Sequence, residues 1–155
     1  MESIFFIIAG GFDPLNEENE RNLNHLEELA QRLNIKTANL LFMKNPTDQQ
    51  KIQLLRQASM LIYTPTGEHF GIVPIEAMYM KTGVIAMNSG GPKETIQDGV
   101  TGFLISEDPI EMAAKVMAVV KGEIDLIKMG NEAKRRVERL FAFDSFKETL
   151  HELII

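Results

Sequence analysis

The chain has 155 residues, 45% apolar and 25% charged, with a formal net charge of -6 and no cysteine. That size and balance describe one globular domain with a core of its own. The negative charge argues against nucleic acid as a partner, and the lack of cysteine excludes disulfides, thiolate-held zinc and thiol catalysis.

In chain order, the first apolar run is IFFIIAGG, residues 4–11. It is too short to span a bilayer and has neither a basic flank nor a small-residue cleavage site, so it reads as a buried strand closed by a Gly10-Gly11 turn. A helix follows over 14–34, where Leu23, Leu26, Leu29, Ala30 and Leu33 recur at helical spacing. NLLFMKN is a second strand, and PTDQQKIQLLRQA a helix opened by Pro46 and Asp48. SMLIYTP is a third strand, IVPIEAMYMK a helix beginning around Pro74, and GVIAMN a fourth strand. GGPKETIQD gives a short helix starting at Pro92, and TGFLIS a fifth strand. Three amphipathic helices finish the chain: EMAAKVMAVVKG, IDLIKMGNEAKRRVERLF and FDSFKETLHELII. No repeat, low-complexity tract or linker interrupts the pattern. Apolar strands alternating with helices predict an α/β fold, a doubly wound, Rossmann-like parallel sheet covered on both faces.

Ligands of such sheets bind beyond the carboxyl ends of the strands. Two strand-to-helix junctions are built for close approach there, YTPTGEHFGIVPIE and AMNSGGPKE. Proline suits the first turn of a helix, where its missing N–H would have no partner. Gly71 and the pair Gly90 and Gly91 are expected to leave backbone N–H groups open near helix starts, which suits phosphate. Glu76, read as lying in the first turn of its helix, would repel a diphosphate unless it faced neutral hydroxyls. Glu68, in the loop before it, could take a second set of hydroxyls. The pattern favours a nucleotide sugar over a free nucleotide.

EHFGIVPIE resembles the E-x7-E motif of retaining glycosyltransferases of family 4, whose two-domain architecture is GT-B. The longer stretch through NSGGPKE and DGVTGFLI is similar to one branch, the mannosyltransferases that extend the dolichol-linked oligosaccharide at the endoplasmic reticulum. The likeness runs from IIAGGFD to RRVERLFAFDSF.

The resemblance implies a GDP-mannose donor, a lipid-linked oligosaccharide acceptor and a place at the cytosolic face of that membrane. No metal or other cofactor is implied. Glu68 would contact the transferred sugar as the catalytic glutamate, and Glu76 the ribose hydroxyls. His69, Phe70, Gly71, Ile72 and Val73, with Gly90 and Gly91, would line the donor. Gly10, Gly11 and Lys44 join them, with backbone groups of Met43, Lys44 and Asn45 meeting the base. On this likeness residues 1–155 are the donor-binding C-terminal domain without its first strand, and the acceptor-binding N-terminal domain is absent. Two alternatives stay open: a nucleotide-sugar-binding fragment without turnover, and a transferase using a UDP-sugar.

Plainer roles compete at several positions. Glu68 could cap its own loop, Glu76 could complement a helix dipole, and Gly90-Gly91 could be only a tight turn. His69 reads as a loop residue, and His25 and His151 as solvated, so no metal cluster is visible. The basic run Lys134, Arg135, Arg136 and Arg139 reads as a solvated helix face. A membrane-surface role is its sharper alternative.

Overall fold

A computed structural model describes residues 4–154. The predicted final helix extends to Ile155, which lies outside the described residues, as do residues 1–3. The chain forms two compact units, one through Lys51 and one from Ile52 onward.

In the first unit β1 (Phe6–Gly10) pairs in parallel with β2 (Leu40–Lys44), in a register running from Phe6 opposite Leu40 to Gly10 opposite Lys44. The crossover is α1 (Glu17–Arg32). Its start is set by Asn16, whose side chain accepts the Glu18 N–H at 2.9 Å, with Glu17, Glu18 and Glu20 complementing the positive end of the helix. Asn34, left-handed at φ 54°, ends the helix, and Ile35 donates back to the Ala30 carbonyl at 3.0 Å. A 3-10 turn (Thr37–Asn39) then feeds β2, and the Asn39 amide ties back to the Ile4 carbonyl at 2.8 Å.

One expectation is corrected here. β1 is a strand, but it is not buried: every residue from Phe6 to Gly10 is exposed, Ile8 by 44%. Among the described residues its ladder joins it to β2 alone, and α1 buries none of its residues. Apolar composition marks a strand, whereas burial needs neighbours on both faces.

The helix α2 (Asp48–Gln57) leads from one unit into the other. It opens with a reciprocal capping box: Thr47 N–H donates to the Gln50 side-chain oxygen at 2.9 Å, and Gln50 N–H to the Thr47 hydroxyl at 3.2 Å.

The second unit holds a parallel sheet in the order β3 (Met60–Tyr63), β4 (Gly83–Met87), β5 (Gly102–Ile105), with β4 central. The crossovers are α3 (Ile72–Tyr79) and α4 (Pro92–Thr95), and α5 (Pro109–Val120), α6 (Leu126–Leu140) and α7 (Phe143–Ile154) follow. All five predicted strands are present, and their ladders form as a two-stranded and a three-stranded parallel sheet.

β4 is buried along its whole length, and its side chains alternate between two cores. Val84 and Ala86 pack with Ala77 and Met78 of α3 and Ala133 and Val137 of α6. Ile85 and Met87 face the other way, toward Ile105, Met112 and Val116. Helices therefore cover both faces of β4, as a doubly wound sheet requires. On α6, Met129, Gly130, Ala133 and Val137 form the buried stripe. A Cβ on Gly130 would collide with the Lys81 carbonyl, so glycine is what lets α6 approach the turn between α3 and β4 this closely.

Candidate functional site

In both units the predicted site residues sit at the carboxyl ends of parallel strands. The first unit holds Gly10, Gly11 and Lys44. Asn45 N–H donates to the Gly10 carbonyl at 2.9 Å, and the Asn45 side chain closes a two-way bond with the Phe12 backbone, both legs at 2.7 Å. Lys44 Nζ rests over the Phe12 ring, 4.2 Å from its centroid. A side chain built on Gly10 or Gly11 would meet nothing within 4 Å. The fold does not demand glycine at either position.

The second unit brings together the loop 64–71 and the turn 88–92. Tyr63 ends β3, and its hydroxyl donates to Glu68 Oε2 at 3.3 Å, so the half-buried glutamate is held by the strand that precedes it. Burial, then the negative charge of Glu68 and then this hydrogen bond raise the Tyr63 pKa above 10.0, which keeps the phenol a donor. The Glu68 carbonyl accepts the Gly91 N–H at 2.7 Å, and the Ser89 hydroxyl accepts the Gly67 N–H at 3.2 Å.

A Cβ on Gly90, at φ 55°, would strike the Glu68 carbonyl oxygen, and one on Gly91 would strike the Phe70 backbone. The glycine pair is thus required by the protein's own backbone. The expectation of an open Gly91 N–H is corrected accordingly, because that group is already bonded to Glu68. Gly91 can shape a ligand site without donating its N–H to it.

Gly71, left-handed at φ 76°, is the N-cap of α3. The helix therefore starts at Ile72, two residues before Pro74, and Glu76 lies past the first turn. The span IVPIEAMYMK begins at this residue, and what differs is that Pro74 is the third helical residue and not the first. Pro74 still costs nothing, since first-turn N–H groups have no partner within the helix. Phe70, Ile72 and Val73 are exposed around this helix start, Ile72 by 62%. Glu76 is half-buried with its Oε2 shielded from solvent. His69, His25 and His151 are exposed.

Three residues that sequence reasoning did not assign to the site support it. Tyr63 carried no signal beyond its place at a strand end. Phe141 meets Phe70 edge to face, with ring centroids 5.8 Å apart. Arg136, expected on a solvated face, is half-buried and donates to the Thr95 and Glu94 carbonyls, both at 2.8 Å. Arg135 and Arg139 of the same run are exposed, Arg135 pairing with Glu132, while Lys134 is half-buried and pairs with Glu138 at 3.5 Å. Among the described residues no group of three His, Asp or Glu side chains could hold a metal ion, and no helix is long and apolar enough to cross a membrane.

The family model for glycosyl transferases group 1 matches residues 1–136. The chain belongs to this family. It is 37% identical over 153 residues to the alpha-1,3/1,6-mannosyltransferase ALG2 of Homo sapiens, an alignment covering 99% of the chain and 36% of the human protein. The chain thus spans a little over a third of the length of the curated relatives it matches.

Among solved structures, HepE of Anabaena in complex with UDP superposes with a TM-score of 0.85 at 22% identity, covering 97% of this chain and 40% of HepE. The C-terminal domain of a glycosyl transferase group 1 protein from Francisella tularensis matches at a TM-score of 0.75 and 16% identity, covering 90% of this chain and 87% of that domain. These likenesses establish the Rossmann-like GT-B fold that the motif pattern implied.

Proposed function

We propose that these residues form the donor-binding half of a retaining glycosyltransferase that moves mannose from GDP-mannose to a lipid-linked oligosaccharide. One observation carries the reading. Glu68 and Glu76 stand half-buried on either side of the Gly71-capped start of α3, at the carboxyl end of β3. A pair of acids so placed suits a ligand rich in hydroxyls better than a bare phosphate.

In the transfer, the bond from the sugar C1 to the diphosphate oxygen breaks with its electron pair leaving on that oxygen, and C1 bonds to the oxygen of an acceptor hydroxyl, whose proton passes to the departing diphosphate. Glu68, steadied by Tyr63, accepts hydrogen bonds from the mannose hydroxyls. Glu76 accepts those of the ribose. The first-turn N–H groups of Ile72 and Val73 lie at the positive end of α3 and stabilise the leaving diphosphate without a metal. The acceptor belongs to another domain of a longer protein, working at the cytosolic face of the endoplasmic reticulum.

The identity to the human mannosyltransferase supports mannose, and the UDP complex of HepE supports a nucleotide-linked donor. Calorimetry with GDP, GDP-mannose and UDP-glucose tests the reading. Glu76→Ala should weaken GDP and GDP-mannose alike by ~1.5–3 kcal/mol, the size of a hydrogen bond to a charged group. Glu68→Ala should weaken GDP-mannose and leave GDP nearly unchanged. EDTA should change neither. Equal losses on both ligands for Glu68→Ala would remove that residue from the sugar, and tighter binding of UDP-glucose would replace the donor.

A further inference from the structure

We infer that the carboxyl end of α6 is a clamp on the candidate donor site, with Arg136 and Phe141 as its two jaws. Both are positioning residues, and neither is placed to touch the donor. The inference rests on the donor reading for its functional consequence, while its mechanical part stands on the contacts alone.

The first jaw acts on α4. A four-residue helix makes few bonds of its own, here Thr95 N–H to the Gly91 carbonyl at 3.0 Å and Ile96 N–H to that of Pro92 at 2.9 Å. Its last carbonyls need outside partners. Arg136 supplies two at once, Nε to Thr95 and Nη2 to Glu94, which suits a rigid planar fork. Glu94 is exposed, so water could satisfy its carbonyl equally well. What the guanidinium adds is a fixed place for α4. From α4 the connection runs through Gly91, whose N–H holds the main chain of Glu68.

The second jaw acts on the facing loop. Phe141 packs on the core cluster formed by α3, β4 and α6, and its ring meets that of Phe70. The Phe70 backbone in turn abuts Gly91 so tightly that a methyl group would not fit. Arg136 and Phe141 therefore press together the two segments whose contact sets where Glu68 stands. The buried stripe of α6, including Ala133 and Val137, anchors the jaws to the sheet.

Amide hydrogen exchange on this chain tests the clamp without requiring any ligand. In R136M, exchange at Gly91 should accelerate roughly tenfold or more relative to Val84 in β4, as local opening separates from global unfolding. R136K, which can serve one carbonyl at a time, should fall between wild type and R136M. GDP-mannose affinity should drop by about tenfold in R136M, comparable with losing one charge-assisted hydrogen bond, and GDP affinity by less. F141L repeats the test from the other wall and serves if R136M fails to fold.

Gly91 exchange that stays level with Val84 in R136M and F141L overturns the clamp, whether both amides are unchanged or accelerate together. Selective acceleration with donor affinities untouched in R136M, F141L and E68A supports the mechanical clamp and removes the donor reading. Selective acceleration with loss of GDP-mannose affinity supports both.

Discussion

β1 and β4 are the same length, comparably apolar and both parallel, yet β4 is buried at every position and β1 at none. The difference lies in what flanks them. β4 has a strand on each edge and helices on each face, whereas β1 has a ladder on one edge. The glycine pairs repeat the contrast. Gly90 and Gly91 are forced by backbone packed against them, while Gly10 and Gly11 have open space around them. Identical residue types thus answer to the fold in one region and are unconstrained by it in the other.

Substitutions can break this contrast in order of size. Ile85→Ala, at a site with no exposed surface, should cost about 2–5 kcal/mol in urea unfolding, while Ile8→Ala in β1 should cost less than about 1. Equal losses would mean that β1 is covered in solution. Gly91→Ala should cost about 1–3 kcal/mol through overpacking, whereas Gly10→Ala should stay within about 0.5. A stability loss at Gly10 matching that at Gly91 would erase the distinction between the pairs.

Tyr63→Phe should cost about 0.5–1.5 kcal/mol by deleting the bond to Glu68. With the phenol pKa raised on folding, the stability linked to its proton is present below pH 10.0 and lost as pH rises through the higher folded value. The variant should flatten that alkaline limb, seen in melts at rising pH. The smallest effect concerns Glu111, whose pKa is lowered by hydrogen bonds from the Ser106 hydroxyl and then the Ser106 N–H. A depressed carboxylate contributes above its ordinary 4.5, and the contribution disappears as pH falls through the folded value. Glu111→Gln should therefore lower stability slightly at neutral pH, where the contribution is present, and converge with wild type as pH falls, which softens the acid limb of the stability curve.

Element order and type were legible in the residues, and in the second unit the periodicity matches real faces. The alternation of Val84 and Ala86 with Ile85 and Met87 maps onto two actual cores. The E-x7-E motif pointed to a strand end and a helix start, and both are there. Three things were not legible, each for a physical reason. The cap of α3 is a left-handed glycine, and its conformation has no letter of its own. The reason for Gly90 and Gly91 is a contact with residues 68–70, and a glycine that admits backbone reads like one that admits phosphate. Arg136 bonds carbonyls 41 and 42 residues upstream, a distance at which local charge patterning says only that the side chain is basic.

The bond between Tyr63 and Glu68 also makes the chain its own optical probe. It has two tyrosines and no tryptophan, so its near-ultraviolet emission comes from two phenols alone. Tyr79 lies exposed on α3 beneath the Lys134 ammonium and can be removed as Tyr79→Phe. What remains is a single fluorophore bonded to a carboxylate, an arrangement that quenches a phenol by accepting its proton in the excited state. Any molecule that draws the Glu68 side chain toward itself would brighten that signal, and occupancy of the sugar position could be followed without a label.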